Sequence, residues 1–204
     1  LADDAGIEGA NAILFDLGLS SWHLEESGRG FSFQNRNEPL LMNFGKDVLK
    51  IAADVLNTYS ESQLFKLFRK YGEEPKSGYV TRSILKARRR KRIVSVGDFL
   101  DALKIYDQKT LARIFQALRI EVNGELENLK LGLSGAFKLL KTNGRLAAIS
   151  YHSLEDRIVK NFFMEKRKSG EARVFFKKPI TAGGEEILKN ARARSAKLRI
   201  LEKI

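Results

Sequence analysis

The sequence contains no cysteine. That excludes a disulfide scaffold, thiolate zinc sites, iron–sulfur clusters and a cysteine nucleophile. It has only two histidines, His23 and His152, too few for a multi-histidine metal site, so no metal is expected. Three prolines and the lack of any low-complexity tract argue against extensive disorder. No apolar run approaches the roughly 20 residues of a membrane-spanning helix. No secretory signal is visible, so the expectation is no membrane and a cytoplasmic location. What is present is 204 residues, 43% hydrophobic and 30% charged, enough for one large domain or for a domain with an inserted subdomain. The chain opens LADDAGIEGANAILFDLG and reads as beginning inside a domain.

The formal net charge of +12 is unevenly spread. Residues 1–45 carry 2 basic and 7 acidic side chains, whereas residues 76–92 carry 8 basic and no acidic ones. Residues 157–204 carry 14 basic and 5 acidic side chains, and the rest of the chain is balanced. The first block, KSGYVTRSILKARRRKR, holds Arg88, Arg89, Arg90, Lys91 and Arg92 in succession, with Arg82 and Lys86 before them. A solvated helical face would explain one such block. Two in an otherwise balanced chain point to a polyanion, and a nucleic-acid backbone supplies the counter-charge. Asn190-Ala191-Arg192-Ala193-Arg194-Ser195 adds two arginines suited to phosphate.

The patterning is α/β. Ala12-Ile13-Leu14-Phe15 is a short apolar run ended by Asp16 and Gly18, read as a strand buried on both faces. Residues 22–45 are read as an ordered loop. Helical spacing follows at Val48, Ile51, Val55 and Leu56. Ser60 and Gln63 form a capping box, with Gly72 as the C′ residue after Tyr71. Further helices are predicted over about 79–91, after Ser95, after Thr110, along the series Leu126 to Leu140, and after Ser153. GRLAAIS at 144–150 reads as a second strand, and 173–177 with 197–204 as an antiparallel pair across a long loop. The order is that of the second half of a doubly wound sheet, carrying a helical insertion.

Candidate chemistry clusters at strand ends. Asp16 stands at the carboxyl end of the first strand, the edge at which open α/β sheets bind ligands. Gly18 lets backbone approach a ligand, and Ser20 and Ser21 add hydroxyls. Ser150-Tyr151-His152-Ser153-Leu154-Glu155-Asp156-Arg157 follows the second strand; His152 titrates near neutrality, and Ser150 precedes it. The alternative is that this run merely caps a helix. No Gly-x-Ser-x-Gly elbow, no Gly-x-Gly-x-x-Gly, no Walker A loop and no His-Glu-x-x-His occurs.

ILFDLGLSS, RGFSF at 29–33, NTYSESQLFKLFRKYGEE at 57–74, FQALRIEVNGEL at 115–126, GRLAAISYHSLEDRIVKNFF at 144–163 and NARARSAKLRILEK at 190–203 together resemble the ribosomal RNA small-subunit methyltransferase H family, RsmH or MraW. The resemblance covers nearly the whole chain. It implies a class I S-adenosylmethionine-dependent methyltransferase fold, a Rossmann-like sheet represented by its carboxyl-terminal part. Residues 1–24 and 110–204 would form the sheet domain and 25–109 an inserted helical subdomain. It implies methylation of the exocyclic N4 of a cytosine in small-subunit rRNA at the decoding centre, with S-adenosylmethionine as cofactor. The implied partners are small-subunit rRNA or the assembled small subunit, with a homodimer as a further state. By this resemblance Asp16 falls at the cofactor site and His23 stands at a cofactor-contacting position; the strand-end reading adds Gly18 to the cofactor site and places Asp16, Ser150 and His152 at the catalytic edge. RNA binding falls to Arg82, Lys86, Arg88, Arg89, Arg90, Lys91, Arg92, Arg192 and Arg194.

Three departures accompany the resemblance. The family's glycine-rich cofactor loop and the acidic residue ending its next strand would lie upstream of Leu1, so this chain by itself is expected to bind cofactor weakly or not at all. His23 replaces a glutamine. Pro39-Leu40-Leu41-Met42-Asn43-Phe44-Gly45 replaces a segment with acidic and arginine groups. His23 and the altered 40–45 segment favour an alternative reading, a non-catalytic RNA-binding or ribosome-assembly protein derived from this fold.

Overall fold

The computed structural model describes residues 6–45 and 49–204. Leu1 and Val48, on which two of the readings above rest, lie outside the described residues. In chain order the elements are β1 (Ala10–Asp16), α1 (Ser21–Glu25), α2 (Ala52–Thr58), α3 (Glu61–Lys70), α4 (Ser77–Arg88), α5 (Val96–Leu103), α6 (Gln108–Asn123), α7 (Glu125–Leu139), β2 (Leu140–Ser150), α8 (Ser153–Lys168), β3 (Ala172–Val174), β4 (Ile180–Thr181), α9 (Gly184–Lys189), a 3-10 turn (Ala191–Ser195) and β5 (Lys197–Lys203).

The chain forms two compact units. One comprises the chain up to Gly18 together with Leu126–Ile204; the other is Leu19–Glu125. The sequence pattern puts the insertion at 25–109, but α6 places Leu111, Ile114, Phe115 and Leu118 in the core of the helical unit and belongs there.

In the sheet unit the strand order is β1-β2-β5-β3, with β4 also on β5. β1 and β2 run parallel, with Asp16 opposite Ile149; β5 is antiparallel to β2, β3 and β4. Leu129, Leu133 and Phe137 of α7, Leu146 and Ala148 of β2, Val159 and Phe163 of α8, and Leu201 of β5 form its core. The strand at Ala12 to Phe15 is buried on one face only, contrary to expectation. Its side chains alternate between faces: Ile13 and Phe15 pack on the core, while Leu14, on the other face, is 62% exposed among the described residues. The 173–177 strand is likewise shorter and split, β3 ending at Val174 and pairing resuming at Ile180.

The helical unit has its own core of α2, α3, α4, α5 and α6 side chains, joined by Phe31, Leu40 and Met42 from the segment after α1. That segment is mostly irregular, although Ser21–Glu25 is helical. Ser60 and Gln63 cap α3 reciprocally, and Ser95 and Asp98 do the same for α5. Gly72 follows α3 without a left-handed φ. It is there for space, since a Cβ would lie 2.8 Å from the Phe68 carbonyl oxygen and 2.9 Å from that of Arg113. The basic helix spans Ser77–Arg88, ending before Arg89.

Two caps differ from expectation by a few residues. Asp107, not Thr110, caps α6, its carboxylate accepting from the Thr110 N–H at 2.8 Å. His152, not Ser153, caps α8: its Nδ1 accepts from the Glu155 N–H at 3.3 Å. In both cases the cap is the side chain that can reach forward to the third helical N–H. Among the described residues, no helix is long and apolar enough to cross a membrane.

Candidate functional site

In the sheet unit, the carboxyl ends of the two parallel strands lie side by side. The Leu17 N–H donates to the Ile149 carbonyl at 3.0 Å, which aligns the turn after β1 with that after β2. Asp16 ends β1 with an exposed carboxylate. Its Oδ1 accepts from the Tyr151 hydroxyl at 2.9 Å. Burial and the acceptor bond to Asp16 push the Tyr151 phenol above its ordinary range, so it stays protonated and donates. One carboxylate oxygen is thereby fixed. Among the described residues Oδ2 has no protein donor and is available to accept.

Gly18 belongs to the same corner. Its φ of +96° is a conformation L side chains rarely adopt, and an added Cβ would lie 3.1 Å from Tyr151 Cδ2. The glycine therefore serves both the turn and the seating of the tyrosine ring.

Ser150 and His152 are placed differently from a catalytic pair. Ser150 is buried, its hydroxyl donating to the Lys197 carbonyl at 3.4 Å. His152 caps α8, and Glu155 reciprocates: its Oε2 accepts from the N–H groups of Tyr151 at 2.8 Å and His152 at 3.3 Å. Next to them Asp156 takes a two-pronged bond from Arg199, at 2.6 and 3.2 Å. Burial alone would raise the Asp156 carboxyl, but Arg199 and then Lys197 hold it below its ordinary value. Much of the run after β2 therefore shapes the corner by holding α8 against β5. Tyr151, passed over by sequence reasoning, is the member of that run that reaches Asp16. The available signal was positional: both residues stand at the ends of neighbouring parallel strands.

In the helical unit, His23 sits in the middle of the short α1 among aromatic rings. Trp22, Phe31 and Phe44 meet it edge-on at centroid distances of 5.3 to 5.4 Å. Its Nδ1 is 2.8 Å from Ser20 Oγ. Desolvation, and then the charges of Arg119 and Arg29, hold its pKa below 6.5, so the imidazole is neutral at neutral pH.

The same unit carries a basic groove of about 640 Å³ between α4 and α5, lined by Tyr79, Arg82, Ser83, Lys86, Arg90, Lys91, Arg92, Lys104, Asp98 and Asp101 among others. Each carboxylate already has a cation: Lys91 donates to Asp98 at 2.9 Å and Arg36 to Asp101 at 2.6 Å. Arg82, Lys86 and Arg90 form no ion pair among the described residues, leaving the groove with a positive excess. The structure thus gathers Arg82, Lys86, Arg90, Lys91 and Arg92 around one concavity and leaves Arg89 exposed near it. Arg88 leaves the set. Its Nη1 donates to the carbonyls of Leu56 at 2.9 Å and Tyr59 at 2.7 Å, satisfying the carboxyl-terminal end of α2. Arg192 and Arg194 lie exposed on the 3-10 turn of the sheet unit.

A family profile described as the MraW methylase family matches residues 1–204. The chain is 47% identical to the ribosomal RNA small subunit methyltransferase H of Phocaeicola vulgatus, over 97% of this chain and 70% of that protein. It is 49% identical to the protein of the same name from Dictyoglomus thermophilum, over 95% of this chain and 66% of that one. With that of Chloroherpeton thalassium it shares 42% identity, over 98% of this chain and 70% of the relative. The chain therefore spans about two thirds of the length of these curated relatives.

Proposed function

Because the chain belongs to the MraW methylase family, we propose that it serves in S-adenosylmethionine-dependent methylation of small-subunit ribosomal RNA, with the exocyclic N4 of a cytosine at the decoding centre as the acceptor. The observation that carries this reading is the corner at the carboxyl ends of β1 and β2, where Tyr151 orients the Asp16 carboxylate and leaves Oδ2 as an acceptor. The corner suits such a cofactor. Gly18 keeps side-chain bulk off the turn, and a carboxylate beside it can accept hydrogen bonds from hydroxyl or ammonium groups.

S-adenosylmethionine, when bound, supplies a methyl group on a positively charged sulfur whose departure needs no activation. What the chain has to supply is alignment and a hydrogen-bond acceptor. Asp16 Oδ2 is the acceptor assigned to the reacting pair, whether the donor is the cofactor or the target amine. Tyr151 fixes the carboxylate's orientation. His23 is assigned to the cofactor as a neutral imidazole braced by Ser20. Ser150 and His152 act through the fold, by holding β5 and α8. The basic groove of Arg82, Lys86 and Arg90 is assigned to RNA phosphates, and a duplex or loop must yield an unstacked cytosine to such a site.

The test is to incubate the native gene product with methyl-labelled S-adenosylmethionine and small ribosomal subunits, then digest the RNA to nucleosides. Label is expected in N4-methylcytidine, and Asp16→Ala should abolish it. Label in another nucleoside would overturn the target assignment. Salt-sensitive RNA binding with no label at all would make the chain a non-catalytic RNA-binding protein.

A further inference from the structure

The edge of the sheet carries a feature that the groove and the Asp16 corner do not use. β3 pairs with β5 as far as Val174 opposite Leu201, and the Phe175 N–H still donates to the Ile200 carbonyl at 3.3 Å. Pairing resumes at Ile180 opposite Leu198. Four residues, Phe176-Lys177-Lys178-Pro179, thus stand opposite Arg199 alone and are extruded from the edge. An extrusion of this kind re-aims side chains away from the sheet, and Pro179 has no N–H with which to rejoin the ladder.

The extrusion leaves two phenylalanines at the surface, Phe175 38% and Phe176 51% exposed. Their centroids are 6.4 Å apart and their planes tilted by 37°. Two guanidiniums lie by the Phe175 ring, that of Arg145 at 5.1 Å and that of Arg173 at 5.3 Å. Neither moves freely, because the buried carboxylate of Glu202 receives Arg145 at 3.0 Å and Arg173 at 2.7 Å. With Lys177 and Lys178 exposed on the loop, cations outnumber the one carboxylate among these residues by three. A purely apolar protein partner would have to bury that charge unpaired. A partner with flat π faces and a phosphate backbone would match both features at once.

We propose that Phe175 and Phe176 form a stacking seat for unpaired bases of the RNA substrate, with Arg145 and Arg173 holding the Phe175 ring and Lys177 and Lys178 meeting the flanking phosphates. The proposal rests on the reading that the chain acts on RNA. It adds, in the sheet unit, a place for single-stranded RNA that does not depend on the helical groove. Stacking is tolerant of base identity, so the seat contributes affinity and position without reading sequence.

The experiment compares the native gene product with Phe176→Ala, Phe176→Leu and Phe176→Tyr, using a short fluorescent single-stranded oligoribonucleotide and a duplex of the same length. Thermal unfolding and sedimentation are measured in parallel. Phe176→Ala and Phe176→Leu should weaken single-strand binding at least about fivefold with an unchanged unfolding midpoint, and Phe176→Tyr should bind like the parent. Duplex binding should not change. Lys177→Gln with Lys178→Gln should instead flatten the salt dependence, by about 0.7 in slope for each phosphate no longer neutralised. Equal single-strand affinity in parent and both non-aromatic variants would overturn the seat, while leaving the RNA reading intact if Arg90→Ala still weakens binding. Dissociation of a dimer by Phe176→Ala, with RNA affinity unchanged, would overturn it in favour of self-association. Failure of the parent to bind either RNA would remove the functional reading on which the seat depends.

Discussion

At the scale of single residues, the Asp16 corner separates groups that hold the fold from groups that face a ligand. Tyr151→Phe deletes one hydrogen bond to an exposed carboxylate, so stability should fall by no more than about 1 kcal/mol, while methyl transfer should drop as Asp16 loses its orientation. Comparing the unfolding midpoint with the rate of label incorporation checks both. Gly18→Ala should strike stability and activity together. The φ of +96° and the 3.1 Å approach to Tyr151 act in the same direction, so about 1 kcal/mol or more of stability should be lost along with activity. Asp98 makes a separate, pH-dependent case. The hydrogen bond from Lys91 is the chief cause holding its carboxyl down to about 2, with the Val94 and Ser95 N–H groups adding to it. A folded-state value below the ordinary 3.8 means that its stabilisation is complete above pH 3.8 and is lost as pH falls toward 2. Denaturant titrations across that window should show a slope in the parent that is reduced in Asp98→Asn.

At the scale of elements, much depends on what ends each helix. Arg88 and Arg89 are neighbours in sequence with opposite duties. Arg88→Ala leaves the Leu56 and Tyr59 carbonyls without their charged donor and should destabilise by about 2 kcal/mol. Arg89→Ala should stay within about 0.5 kcal/mol of the parent in stability while weakening RNA binding. Chemical denaturation alongside RNA titration distinguishes the two. For α8, His152→Ala should cost about 1 kcal/mol by removing the cap, and His152→Asn should recover most of it, since asparagine also accepts from the third helical N–H. The strands show the complementary effect. β1 reads as a run of apolar residues, but among the described residues the core packs on the Ile13 and Phe15 face alone and Leu14 is open; no local pattern tells which face of a strand another layer covers.

At the scale of the whole molecule, the charge of +12 resolves into distinct surfaces. The groove between α4 and α5 collects part of one basic block, and the extruded loop at the β3 edge collects part of the other. Replacing Arg82, Lys86 and Arg90 together with alanine should lower the slope of log affinity against log salt by about two, because fewer counterions are released when fewer phosphates are neutralised. A slope identical to that of the parent would show that the groove does not meet the backbone.

Several features were legible in the residues alone, because they depend on neighbours in sequence. The Ser60–Gln63 capping box, the apolar faces of α3 and α6, the second strand ending at Ser150 and the concentration of basic charge all follow from spacing and composition. The α/β class followed from the alternation of strand and helix patterns, and the family from six stretches, SYHSLEDRIVK and FQALRIEVNGEL the most specific among them. Other features depended on groups far apart in the chain. Tyr151 meets Asp16 only because two parallel strands end together, and Arg88 turns inward only because the end of α2 presents carbonyls to it. Phe175 is flanked by Arg145 only because β2 and β3 both border β5. Sequence patterns report which residue can cap, pair or be buried. Which partner it finds is decided by pairing register and packing across the fold, and no window along the chain contains that information.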